Sequence, residues 1–167
     1  MTPMTEYLTL EDLLALIGDL GVGPVRDLGL LESAAHRPTT ALWGRDVYAT
    51  IEKKAAALLD SLVRDRPLAD GNKRLGWLAA LVLLDINGRR IEVPDDEAHE
   101  LVTAVAQERT TLAEVTRALT RWRGRPPARR DRVERNGGVG RPRVGASPLP
   151  EGVLDDGGVF MPTPGSR

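Results

Sequence analysis

Five consecutive residues, Asp70, Gly71, Asn72, Lys73 and Arg74, place a carboxylate, a glycine, an amide and two cations in one short stretch. Apolar sequence of helical period flanks them, so the stretch falls at a helix–turn–helix junction with Asn72 opening the second helix. A helix N-terminus offers unpaired N–H groups and the positive end of the peptide dipole. Lys73 and Arg74 in the first turn oppose that dipole, and a bound anion would reconcile them with it. Gly71 lets the backbone come close to a ligand and adopt positive φ. Asp70 carries hard oxygens suited to Mg²⁺, the usual companion of nucleotide phosphates. The chemistry this points to is phosphate plus metal binding. A plainer set of roles fits the same spacing: a capping carboxylate, a turn glycine and two solvated cations. Neither GxxxxGK[ST] nor GxGxxG is present to decide between them.

Apart from the carboxylates, the residue two before Leu68, where such a turn would want a titratable base, is Arg66. Arginine stays protonated at neutral pH and accepts no proton.

The elements that must position these residues are helices. Leu10, Leu13, Leu14 and Ile17 repeat at helical spacing, with Thr9 as N-cap, Glu11 and Asp12 in the first turn, and Gly21 as the stop. A short helix from Leu28 to His36 ends before Pro38. "TTALWGRDVYAT" lacks helical period and is rich in β-formers, so a loop or small hairpin is expected there. Ile51, Ala55, Leu58, Leu59, Leu62 and Val63 define a long helix ending at Pro67. A second long helix from Asn72 carries Leu75, Ala79, Val82, Leu83 and Ile86 as its apolar stripe and closes at Asn87-Gly88. "RRIEV" suits a short strand. Asp95 and Asp96 start a further helix to Gln107, with Leu101, Val102 and Val105 inward. Thr111 and Glu114 form a capping box for a last helix to Trp122. Six helices with little strand predict an all-α domain.

Of the 167 residues, 41% are hydrophobic but only 4% aromatic, which suits a helical core of Leu, Val and Ala. Cysteine is absent, which excludes disulfides and thiolate metal sites. No secretory signal opens the chain, and the run Leu78 to Ile86 is too short to cross a bilayer, so a cytoplasmic protein without membrane attachment is expected. Residues 1–123 carry a net charge of −4 and residues 124–167 carry +3. The front part is therefore not a direct nucleic-acid binder. Residues 124–167 hold 9 Gly and 7 Pro without apolar period, the composition of a disordered Pro/Gly/Arg-rich tail. The expected division is a domain at 1–123 and that tail at 124–167.

"RPLADGNKR" resembles the Fic/Doc signature, whose death-on-curing (Doc) branch reads roughly H-x-F-x-D-G/A-N-K-R, and "RDLGLLESAAHRP" resembles a second block of that branch. "EKKAAALLDSLV" before the motif and "NG" after the next helix also match. The resemblance covers residues 7–122. It implies a Fic-type helical bundle with the motif loop between two core helices and a small β-hairpin flap that positions a target segment. Doc-type members are toxins of type II toxin–antitoxin modules, countered by a Phd-like antitoxin protein. They transfer phosphate from ATP to a protein hydroxyl, with elongation factor Tu the best-known target, and translation stops. Fic relatives transfer AMP instead. By that resemblance Asp70 matches the Mg²⁺ ligand, Gly71 and Asn72 the anion-binding turn, and Lys73 and Arg74 the phosphate-holding bases. Lys73, where AMP-transferring relatives carry glycine, sorts the chain with Doc. Leu68 replaces an aromatic that anchors the loop in the core.

The departure is Arg66, which stands where the family has its general-base histidine. Losing a positioned base costs about 10²–10⁴-fold. Asp65 is adjacent but points elsewhere on the helix end. His36 is expected to close a helix and His99 to sit on a solvated face. Two classes of function follow: a toxin transferase of reduced activity, or a non-catalytic Fic/Doc-fold protein that binds nucleotide or an antitoxin. Trp77 and Trp122 are expected in core or rim, Trp43 in the flap, and Asp95 to Glu100 as a charged helix start.

Overall fold

The computed structural model describes residues 4–124. The tail expected over 124–167 lies, Gly124 apart, outside the described residues. The chain forms six helices: α1 (Leu10–Leu20), α2 (Leu28–His36), α3 (Ile51–Arg64), α4 (Asn72–Ile86), α5 (Asp95–Ala106) and α6 (Leu112–Arg121). A 3-10 turn at Arg37–Thr39 follows α2 directly. The fold is the expected all-α bundle with one small antiparallel hairpin, β1 (Ala41–Leu42) and β2 (Arg45–Asp46).

Short-range signals set most helix starts. The side chains of Thr9, Asp27, Thr50 and Thr111 each accept the backbone N–H three residues on, satisfying one orphan donor of α1, α2, α3 and α6. The Thr111–Glu114 capping box forms, and α1 has its own through Thr9 and Asp12. The Thr110 hydroxyl and the Thr111 N–H hold the Glu114 carboxyl below the usual carboxylate range. α5 begins at Pro94 without a side-chain cap, and Asp95, Asp96 and Glu97 complement its dipole instead.

α3 and α4 are the central pair. Residues 55–59 and Leu62 of α3 are almost wholly buried, as are Leu75, Trp77, Ala79, Ala80, Leu83 and Leu84 of α4. Gly76 lets the two helices close up, since a Cβ there would fall 2.7 Å from Val63 and 3.2 Å from Leu59. Burial on α4 extends well beyond one stripe, which corrects the expected pattern. Trp77 and Leu84 are core residues, Val82 is only half-buried, and Ile86 is 39% exposed near the helix end. A central helix touches neighbours on most sides, so a single 3.6-residue stripe under-reads it. Leu14 of α1 is likewise exposed, and Leu101 of α5 is half-buried against the core.

The strand expected at "RRIEV" does not form. That segment contributes one antiparallel bridge, Ile91 to Arg123, with Glu92 N–H donating to Trp122 O (2.8 Å) and Gly124 N–H to Arg90 O (2.8 Å). Among the described residues its partner is the stretch from Trp122 to Gly124 that leaves α6, which forms a single bridge and no ladder. Glu52, buried at the start of α3, receives Arg123 and Arg89 and ties this C-terminal stretch to the core.

Candidate active site

The motif is held between two loops that run side by side. Residues 65–71 link α3 to α4, and residues 21–27 link α1 to α2. Gly23 N–H donates to Asp70 O (3.1 Å), Ala69 N–H to Pro24 O (2.9 Å), and both Arg26 and Asp27 N–H to Pro67 O (2.7 and 3.0 Å). Val25 and Leu68 form the antiparallel bridge at the centre. Leu68 is 1% exposed, so leucine fills the core position that the family signature gives to an aromatic. The motif backbone is thus pinned by a partner loop more than 40 residues away in sequence.

Asn72 explains the turn's shape. It is fully buried, its Oδ1 accepts Leu68 N–H (2.9 Å), and its Nδ2 donates to Leu68 O (2.9 Å). A side-chain amide is the group that can satisfy one donor and one acceptor of the same residue. The Asn72 side chain therefore fastens the loop.

Gly71 is the N-cap of α4, with φ 90° and no side-chain cap bond. A Cβ at this position would lie 2.5 Å from Val22 Cβ and 2.5 Å from its Cγ1. Two demands, positive φ and close approach to the partner loop, leave glycine as the fitting residue. Gly71→Ala is expected to lower stability by about 1–3 kcal/mol through backbone strain. A urea midpoint unchanged from wild type would mean that the two loops can separate without cost.

Arg66 is exposed and follows the C-cap of α3 with φ 52°, in the left-handed region. Asp70, Lys73 and Arg74 are half-buried around the start of α4. The structure thus brings Arg66, Asp70, Gly71, Asn72, Lys73 and Arg74 together on one loop and one helix turn. It leaves the two histidines on other elements: His36 is exposed at the end of α2, and His99 is half-buried on α5 rather than solvated. Among the described residues no group of three or more His, Cys, Asp and Glu could hold a metal ion. A Mg²⁺ here would rest on the single Asp70 carboxylate, together with phosphate oxygens and water, which is its common habit. Around α5, Glu97 accepts Trp122 Nε1–H (3.0 Å) and Glu100 pairs with Arg109 (3.2 Å).

The hairpin turns at Trp43 and Gly44, both at positive φ (53° and 73°), as a two-residue type I′ turn requires. Trp43 is 99% exposed, and Leu42 and Val47 beside it are exposed as well. Two contacts fix the hairpin's base. Asp46 of β2 pairs with the buried Lys54 of α3 (3.1 Å), whose ammonium also lies over Tyr7. Tyr48 OH accepts from Arg37 Nε (2.9 Å), while Arg37 Nη1 reaches Asp60 (2.7 Å) and Ser61 (2.9 Å). Burial alone would lower the Arg37 pKa, but Asp60 and Tyr48 outweigh it and raise it.

A helical bundle whose two central helices present this loop, beside a tethered hairpin, defines a class. The sequence model of the Fic/DOC family matches residues 5–84, and the chain belongs to that family. Within it, the chain is 42% identical over 121 residues to the protein named Toxin Doc of Mycolicibacterium smegmatis (strain ATCC 700084 / mc(2)155). That match covers 70% of this chain and 92% of the relative. No helix among the described residues is long and apolar enough to cross a membrane.

Proposed function

We propose that this protein is a Doc-like toxin of a toxin–antitoxin module, transferring phosphate from ATP to a hydroxyl of a translation factor at a rate reduced by Arg66. Family membership and the identity to Toxin Doc support the toxin reading. The observation that carries the chemistry is the start of α4. Among the six described helices it alone has neither a side-chain cap nor an acid in its first turn, and it carries Lys73 and Arg74 there instead. A native helix tolerates that arrangement best when an anion completes it.

When bound, Mg-ATP supplies the transferable phosphoryl group. The chain's own part is positioning and charge. The N–H groups at the start of α4, with Lys73 and Arg74, hold phosphate oxygens, and Asp70 holds the metal. Arg66 adds positive charge at the loop but takes no proton, so the attacking hydroxyl loses its proton to solvent. Phosphoryl transfer depends mainly on positioning and electrostatic stabilisation, which leaves a residual rate. The exposed Leu42, Trp43 and Val47 of the hairpin suit a target segment, with elongation factor Tu the candidate by resemblance. A Phd-like antitoxin is the proposed partner and the cytoplasm the proposed location. A second reading, a non-catalytic member that binds nucleotide or antitoxin, is favoured by Arg66 itself. Transfer of AMP is the third, and Lys73 argues against it.

Titration calorimetry with ATP and Mg²⁺ tests the site. Arg74→Ala should weaken binding about 10–100-fold, the worth of a charged hydrogen bond. Equal affinity in the variant would remove the nucleotide from this turn.

A further inference from the structure

Three successive carbonyls at the end of α3, those of Asp65, Arg66 and Pro67, all face the segment that carries Arg26. The Arg26 guanidinium donates to Arg66 O through Nη2 (2.5 Å) and Nε (3.2 Å), and Nη2 also lies 3.5 Å from Asp65 O. The backbone N–H groups of Arg26 and Asp27 take Pro67 O. The last carbonyls of a helix are orphan acceptors at the negative end of its dipole, and residue 66 sits just past the C-cap. A glycine commonly takes this left-handed position, yet a side chain occupies it with φ 52°. The fork from Arg26 is a contact aimed at that carbonyl, and it offsets part of the cost. Rotating residue 66 back to negative φ would swing its C=O away from both donors.

We infer that Arg26 is a positioning residue. It clamps the backbone of residue 66 in the left-handed conformation and so sets where that side chain points relative to the phosphate turn. The position that in the family signature carries the base is thus aimed by a residue from the α1–α2 loop, 40 positions upstream. A planar fork with two donors on one oxygen does this, whereas an ammonium supplies charge without fixing an angle. The catalytic part of this inference rests on the phosphotransfer reading; the conformational part does not.

The test has two arms in the full-length protein. In the first, NMR backbone shifts and the amide-to-α-proton coupling of residue 66 are compared between wild type, Arg26→Ala and Arg26→Lys. Residue 66 should leave the left-handed region in Arg26→Ala and average between conformers in Arg26→Lys, while amides of α5 and α6 stay in place. The Lys form keeps the comparison decisive if the Ala form fails to fold. Unchanged φ signatures at residue 66 in the folded variants overturn the inference. In the second arm, Arg26→Ala is added to Arg66→His protein. The rate of transfer should fall about 10²-fold, as misplacing a reacting group by 1 Å can do, with KM for ATP held within about twofold because the phosphate turn is untouched. A rise in KM at constant kcat would overturn it by making Arg26 a binding residue. If Arg66→His protein transfers no phosphate at all, the phosphotransfer reading fails, and the first arm alone decides the role of Arg26.

Discussion

Arg66→His is expected to raise phosphate transfer by about 10²–10⁴-fold, the usual worth of a positioned general base. The backbone at 66 is ready for that exchange. Its φ of 52° lies in the left-handed region, where histidine is several-fold enriched among non-glycine residues. Position 66 is exposed, so an imidazole meets no packing constraint there. Its carbonyl remains held by Arg26 whatever the side chain. Imidazole titrates near neutrality and can take the proton of the attacking hydroxyl, which the guanidinium cannot. The measurement is label transfer from γ-labelled ATP to a translation factor, with growth of a bacterial host as a second readout. Wild-type expression should be mild or harmless, and Arg66→His expression should arrest growth. Fast transfer by wild type with no gain in the variant would show that another group takes the proton. Two inert proteins that still bind Mg-ATP would leave the binding-protein reading standing.

Asn72→Ala is expected to be the most damaging single truncation in the motif. The amide satisfies both polar groups of Leu68 inside the core, at 2.9 Å each, and nothing of alanine's size replaces it. Leu68 is buried, so its N–H and C=O would face no water in the native packing. Each buried group left unpaired costs about 1–3 kcal/mol, which makes about 2–6 kcal/mol for the pair. Against a typical total stability of about 5–15 kcal/mol that is a large fraction. Equilibrium urea denaturation should report it as a lowered midpoint. Nucleotide affinity should fall with it, because the same loop presents Gly71 and the first N–H groups of α4. A variant with wild-type stability would mean that the loop re-pairs by another route.

The helices were legible because their determinants are local. Period, caps and stops lie within a few residues of each other, and so α4 begins at Asn72 and α6 carries its Thr111–Glu114 box as expected. The motif turn could be picked out as a candidate site for the same reason, its charge and glycine being contiguous in the chain. The chain could not, however, be read for what pairs with what across distance. The two-sided burial of α4, the failure of "RRIEV" to find a strand partner, and the half-burial of His99 all depend on neighbours remote in sequence. The same holds at the site. That Asn72 turns its amide inward to Leu68, that Gly71 must yield space to Val22, and that Arg26 grips the carbonyl of Arg66 follow from two loops lying side by side. Sequence alone determined the residue types available for chemistry and the absence of a base at 66. Tertiary packing decided which of those residues hold the loop, because hydrogen bonds and excluded volume act through space and carry no mark in the order of the chain.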